Sequence, residues 1–542
     1  MLRPAAAAAT PAAARPALVS AGPIVETTDY ATRTTQRVTF SPDGDGNDDA
    51  VTIRVRATPG DKLSFWIRPL TRVSFTIPAG TAHPGVTTLD WNGLQPDGTR
   101  FPDGNYSLKV CDVRTKLCSN ARVLAHLRVV SVYVRTATAV SSGQTLRVEI
   151  SSDRAGPFTI ELVSGATPAG EGIGQASVPR AGSAEYRVPQ VPNGGLWLLR
   201  VRSGDARSQF PLVVHEPSLS LDAPPPHTAL VVYPLLTWRA YDVADGNRDG
   251  RVDSWYAHPS NPLVPLYGPY EPPATDPSLA GREPNPGSQT AFAGWLLDHH
   301  LTAQHVTDVE LGDIPASVLQ RYAMIAFEGH TEYYETATYA KVKRYRDAGG
   351  RLYFFQGNSF YGAARVGRTT VERLSYRYRT RARSDFGLAV TGFRSCCWPA
   401  SIRPVYRLAR GVVEKLPWAF AGTGLKDGDA FGVADGEVDT VDAALSPPGT
   451  VTVASSVVPP FKPSKDEEPA AWLGRKRIPY PAAWLRPERI AIAYARTGKG
   501  EVFSWANTGF LKSVRFRTDA LSQSEREQLD RVALNVWERF TR

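Results

Sequence analysis

The chain has 542 residues, too many for one compact core, so two to four domains are expected. Hydrophobic residues make up 42% and aromatics 10%, which excludes general disorder, and charged residues at 21% are ordinary for a globular protein. The net charge of +9 is spread along the chain, which disfavours a dedicated nucleic-acid surface; the basic segment Arg377 to Asp385 reads as a solvated loop.

In chain order, residues 1–24 carry an early Arg, an alanine tract and small residues, but too many prolines for an apolar signal core. Either a remnant export signal or a disordered Ala/Pro-rich tail fits them. No stretch of about 18 apolar residues occurs, so no transmembrane segment is expected and the protein is expected to be soluble. Residues 25–131 alternate short strands (VTIRVRA, KLSFWIRPL, YSLKVCDV) with Gly/Pro/Asp turns, the pattern of an all-β sandwich. Within them TFSPDGDGNDD (Thr39 to Asp49) and LDWNGLQPDGTRFPDGNYSLKV (Leu89 to Val110) resemble the immunoglobulin-like module of flagellar hook-capping proteins. Asp43, Asp45, Asn47, Asp48 and Asp49 gather oxygen donors suited to calcium on one turn, although Asp, Asn and Gly equally make a tight turn. Cys111 and Cys118 flank a short polar turn where paired strands bring them within disulfide reach, which suits an oxidising compartment and a secreted or extracytoplasmic protein.

Residues 132–216 repeat the short-strand pattern (TLRVEIS, PFTIELV, WLLRVRS) and are expected to form a second immunoglobulin-like sandwich. The proline-rich SLSLDAPPPH then leads into a different pattern over 217–542. LVVYPLLTW reads as a buried strand, TAFAGWLLDHHL as a helix, HVTDVEL and AMIAFEGH as strands, TEYYETATYAKVK onward to AGG as a helix, and RLYFFQGN as a strand. The expectation is an α/β domain with a mainly parallel sheet, of the glutamine-amidotransferase or flavodoxin-like kind, with its functional groups at the carboxyl ends of strands. His299 and His300 are placed at a partly exposed helix end. The adjacent Cys396 and Cys397 leave buried thiols and a vicinal disulfide both open.

Three expected strand ends, TWRAY (Thr237 to Tyr241), GHTEYY (Gly329 to Tyr334) and GNSFYG (Gly357 to Gly362), supply phenols, an imidazole, a carboxylate and a carboxamide. With Ser254 to Tyr256 (SWY), VPLYGPY, DGDAFGVADGEVD and KGEVFSWANTGF, their order over most of 228–510 resembles the C-terminal domain of the large (β) subunit of N,N-dimethylformamidase. That resemblance implies a mononuclear ferric iron held by Tyr241, Tyr256 and Glu332, with His330 and Asn358 beside it. Hard anionic oxygens suit ferric iron, and the ion would polarise an amide carbonyl and make hydroxide available near neutral pH. Glu437 is the candidate for proton transfer to the leaving amine.

Between the two tyrosines, DGNRDGRVD spaces Asp245, Asn247, Asp249 and Asp253 like the first positions of an EF-hand calcium loop, with Tyr256 where the final Glu would stand. No G-x-S-x-G, P-loop, H-E-x-x-H or strand-linked G-x-G-x-x-G occurs, which disfavours serine-hydrolase and nucleotide chemistry. The expected function is metal-dependent hydrolysis of an amide or related C–N bond in a small-molecule substrate, in a homo-oligomer or with a small partner subunit. The alternative is a non-catalytic cell-surface or carbohydrate-binding protein that keeps the fold and uses calcium as a structural ion.

Overall fold

The computed structural model describes most of the chain; residues 1–15, 41–48, 242–254, 256–262, 268–285, 376–388, 391–403, 459–486 and 516–520, with several shorter turns, lie outside the described residues. The chain divides into two compact units, one built on Met1–Val129 and the other on Val130–Arg248, Val252–Lys462 and Tyr480–Arg542.

In the first unit a three-stranded sheet (Ala17–Gly22, Val51–Arg56, Thr87–Trp91) and a six-stranded sheet enclose one core. Strict alternation makes this possible: Val51, Ile53 and Val55 turn inward while Arg54 and Arg56 stay exposed. Ala17–Gly22, whose sequence reads as part of the N-terminal tail, pairs antiparallel with Val51–Arg56. Cys111 and Cys118 are joined by a disulfide. Among the described residues no helix is long and apolar enough to cross a membrane.

The second unit begins with two sheets over residues 133–215, the larger ordered Ala139–Ser141, Ala206–His215, Gly195–Ser203, Phe158–Ser164, Ile173–Val178. Their core is continuous with that of the residues after them, since Phe158, Leu199 and Val213 belong to one cluster with Val231, Tyr233 and Trp295.

Residues 229–504 build a nine-stranded sheet from β1 (Ala229–Tyr233), β2 (Ala303–Thr307), β3 (Met324–Phe327), β4 (Arg351–Phe354), β5 (Val405–Leu408), β6 (Ala430–Val433), β7 (Val451–Val458), β8 (Glu488–Thr497) and β9 (Gly500–Ser504), in the order β2-β1-β3-β4-β9-β8-β7-β5-β6. From β2 to β9 neighbours run parallel. From β9 to β6 they run antiparallel. The sheet is therefore mixed, which corrects the expectation of a mainly parallel one: a short turn such as that at residues 498–499, between β8 and β9, permits only antiparallel return. The parallel strands are buried on both faces, as their unbroken apolar runs require. Leu230, Val232, Ile325, Phe327, Leu352 and Phe354 face one core. Val231, Tyr233, Met324, Ala326 and Tyr353 face the other.

Three sequence expectations shift. LVVYPLLTW is a strand only to Tyr233; Pro234 ends it, and Leu235–Tyr241 forms helix α1, because proline lacks the ladder N–H and its fixed φ suits a helix start. Pro286–Asp298 is helix α2. HVTDVEL is split at Thr307, which with Glu310 makes a capping box that opens helix α3 (Asp308–Asp313). TEYYETATYAKVK is also split: Tyr333–Glu335 is a short strand beside Gly362–Val366, and helix α4 starts at Thr336 and ends at Asp347. His299 comes just after α2, half-buried, with Nε2 at 2.9 Å from Asp530 Oδ1.

Candidate functional site

The parallel register brings the carboxyl ends of four strands level: Val232 pairs with Phe327, Phe327 with Phe354, and Phe354 with Ser504. The residues just beyond these ends therefore converge. After β1 comes α1; after β3 come Glu328, Gly329, His330, Thr331 and Glu332; after β4 come Gln356, Gly357 and Asn358.

His330 and Glu332 are each 2% exposed and Asn358 1% exposed. The Asn358 carboxamide nitrogen lies 3.1 Å from His330 Nε2, within hydrogen-bond reach. This contact ties the Asn358 carboxamide to the His330 ring. Glu332 Oε2 lies 3.7 Å from the same His330 nitrogen, beyond hydrogen-bond length. The structure thus brings together His330, Glu332 and Asn358.

The backbone of this cluster is held by other side chains. Thr237 Oγ1, on α1, accepts from the N–H groups of Glu332 at 3.0 Å and Tyr333 at 3.2 Å. Tyr241 lies one helical turn beyond Thr237, so α1 carries both positions on the same face. The α1 start is in turn held by Asp308, whose two carboxylate oxygens accept from Leu236 N–H at 3.3 and 3.2 Å. Burial pushes the Asp308 carboxyl well above the usual carboxylate range, against the lowering effect of these backbone donors. Gln356 Oε1 accepts from Thr331 N–H at 2.7 Å and from its hydroxyl at 2.9 Å.

Backbone strain gathers here too. Asn358, Phe360 and Ala506 have φ of 55°, 57° and 52°. Asparagine tolerates that region better than phenylalanine or alanine, and such conformations persist only where surroundings impose them. Asp439 Oδ1 accepts from Asn358 N–H at 2.9 Å, Thr331 O accepts from Phe360 N–H, and Ala506 O accepts from Asp439 N–H. Asp439→Ala would leave the Asn358 N–H buried without its acceptor and should destabilise the fold by about 1–3 kcal/mol. Asp439→Asn keeps an acceptor and should lose less. Urea unfolding of the pair separates the two, and equal losses would show that the hydrogen bond does not position Asn358.

Sequence patterns do not single out Thr237, Gln356 or Asp439. Thr237 stands inside TWRAY, Gln356 just before GNSFYG and Asp439 at the end of DGEVD, but only the fold reveals which backbone groups they hold. Tyr256, Glu437, the calcium candidates Asp245, Asn247, Asp249 and Asp253, the turn residues Asp43, Asp45, Asn47 and Asp48, and Cys396 and Cys397 lie outside the described residues, as does the side chain of Tyr241. Among the described residues no group of three or more His, Cys, Asp and Glu side chains is placed to hold a metal. A site of two phenolates and one carboxylate would contribute only Glu332 to such a group. The described surroundings fit a hard cation at Glu332: a carboxylate withdrawn from solvent, on a backbone tied to the helix that carries Tyr241.

No curated protein matches this chain. Among solved structures, a chimeric titin Z1Z2-Z1Z2 tandem functionalised with a GRGDS exogenous peptide from fibronectin aligns with 35% of this chain and 98% of its own, at 14% identity and a TM-score of 0.16. Residues 179–520 match the family described as N,N-dimethylformamidase beta subunit-like, C-terminal. With that span covering more than half of its length, the chain belongs to the N,N-dimethylformamidase beta subunit-like C-terminal family.

Proposed function

We propose that the C-terminal part of this chain is a hydrolase of an amide or related C–N bond, with its site at the carboxyl ends of β1, β3 and β4. Membership of the family carries a hydrolase-like role. The observation that most supports the finer reading is the buried cluster of His330, Glu332 and Asn358, with Asn358 held in a strained conformation by Asp439. The order β2-β1-β3-β4-β9 adds support, since it is that of a doubly wound sheet, in which ligands enter where the winding reverses, here between β1 and β3.

In this reading Glu332, Tyr241 and Tyr256 hold iron, which when bound supplies Lewis acidity to an amide carbonyl and lowers the pKa of water. The protein's own groups do the rest. Thr237 fixes the Glu332 backbone, and α1 carries Tyr241 from the same face. The His330 ring and the Asn358 carboxamide, preset toward each other, stabilise the oxygen on which charge develops. Burial removes competing water and strengthens both interactions. Glu437 is assigned proton transfer to the leaving amine. The Cys111–Cys118 disulfide supports an exported protein.

The test is purification with added ferric iron. About one equivalent per chain and a visible phenolate-to-iron band are expected, with the band weakened or shifted in Tyr241→Phe. A wild-type chain that binds no iron and hydrolyses none of a panel of small amides would overturn the reading.

A further inference from the structure

Besides the cluster of His330, Glu332 and Asn358, three polar side chains form a chain across the joint between the β-rich region and the nine-stranded sheet. Ser141 and His215 end the strands Ala139–Ser141 and Ala206–His215 and are direct partners in their parallel register. Ser141 Oγ lies 3.1 Å from His215 Nδ1, and His215 Nε2 lies 2.9 Å from Glu310 Oε1 on α3. The other carboxylate oxygen of Glu310 accepts from the Thr307 N–H at 2.9 Å and from its hydroxyl at 3.2 Å, so the helix cap fixes the carboxylate. Solvent reaches the chain: His215 and Glu310 keep 18% and 27% of their side-chain surface exposed, and Ser141 is half-buried.

An ionised carboxylate only accepts, so with Glu310 charged the proton of a neutral His215 ring is on Nε2. Nδ1 then carries the lone pair and accepts from the Ser141 hydroxyl. A hydroxyl, an imidazole and a carboxylate in this succession activate a serine: the ring takes the hydroxyl proton as the oxygen attacks, and the carboxylate orients the ring and stabilises its positive form. Cross-strand pairing, not a strand-to-helix turn, presents Ser141, which is why no G-x-S-x-G motif marks it. Ser142, next in sequence, is held differently: its Oγ meets Pro189 O at 2.9 Å, Gln190 Oε1 at 3.2 Å and the Val191 N–H at 3.0 Å.

We infer that Ser141, His215 and Glu310 form a nucleophilic site that cleaves short activated esters, a claim that does not rest on the amide-hydrolase reading. Ser141 Oγ bonds to the acyl carbon while its proton passes to His215 Nδ1; the C–O bond to the leaving oxygen breaks, and that oxygen takes the proton from His215. Water, deprotonated by the same ring, then releases the acid and restores the hydroxyl. The Gln144 carboxamide accepts from the Ser141 N–H at 3.2 Å, so its NH2 end is a donor at the same turn and is assigned to the oxygen on which charge develops.

The experiment treats the full chain with a fluorophosphonate and maps the adduct by mass spectrometry. Ser141 Oγ bonds to phosphorus, fluoride leaves and the proton goes to His215. Ser141 should be labelled about 100-fold or more faster than Ser142, with or without added iron. Ser141→Ala should abolish that adduct and lower p-nitrophenyl acetate turnover to background. His215→Gln should slow labelling about 100-fold, and Glu310→Gln about tenfold. Glu310→Gln keeps an acceptor for the Thr307 N–H, so the helix cap survives it, and melting curves identify any variant that fails to fold. No adduct on Ser141, equal labelling of Ser141 and Ser142, or a wild-type rate in whichever of the His215 and Glu310 variants folds overturns the site.

Discussion

Replacing Glu332 with alanine is expected to remove bound iron and amide turnover together, with kcat/KM falling by about 10³-fold or more and only a modest loss of stability. The size reflects the several kcal/mol that a Lewis-acid centre contributes to such a reaction. The modest stability cost reflects how Glu332 is held: its N–H is bonded to Thr237 Oγ1 and its carbonyl accepts from Gly362 N–H, and neither bond uses the carboxylate. Glu332→Gln is the sharper variant. It keeps the shape but removes the charge, so iron affinity should fall while the melting temperature stays close to the wild-type value. Metal content, the phenolate-to-iron band and turnover are read on the same samples. A Glu332→Ala protein that keeps stoichiometric iron and its band would remove Glu332 from the metal site, whatever happened to activity.

Such a test is possible because part of the site is legible in the sequence. The unbroken apolar runs of β1, β3 and β4 mark strands buried on both faces, and parallel strands gather their C-terminal loops at one edge of the sheet. His330, Glu332 and Asn358 can therefore be grouped from the sequence alone. Apolar runs by themselves suggest strand across two segments where proline and a capping box signal helix: Pro234 starts α1, and Thr307 with Glu310 starts α3. That matters to the site, because a helical TWRAY places Thr237 and Tyr241 on one turn-spaced face, with Thr237 aimed at the Glu332 backbone. The partners that hold the site are not legible. Asp439 is 81 residues from the Asn358 N–H it accepts, and that bond joins a distant carboxylate to a residue whose φ is 55°. Asp308 is 72 residues from Leu236, and nothing in either local pattern pairs them. The antiparallel half of the sheet escapes sequence reading for a related reason, since strand direction depends on connections rather than on the periodicity of each run.

The second large effect concerns acid stability, and it arises where the sheet meets the preceding β-rich region of the same unit. His305, on β2, is 3% exposed, with Nδ1 at 3.4 Å from the Tyr233 hydroxyl. Its ring lies against Gly194 and Gly195, where an added Cβ would come within 2.9 and 3.6 Å of ring atoms, so glycine leaves it room. Burial, with a smaller contribution from the nearby His215, pushes the His305 pKa down from 6.5 to about 3. The folded state thus holds a neutral imidazole that the unfolded chain would protonate. Its stabilising contribution is complete above pH 6.5 and is lost as pH falls from 6.5 toward about 3. At about 1.4 kcal/mol per pH unit, the loss between pH 6.5 and 5 is roughly 2 kcal/mol from this one residue, growing to about 5 kcal/mol by pH 3. His305→Gln cannot take up a proton but can still meet the Tyr233 hydroxyl. It should cost stability at pH 7 through poorer packing, and it should lack the extra loss on acidification. Urea unfolding at pH 7 and pH 5 reads the difference: the wild-type curve should move by roughly 2 kcal/mol more than that of the variant. Equal shifts for the two proteins would show that acid unfolding begins elsewhere.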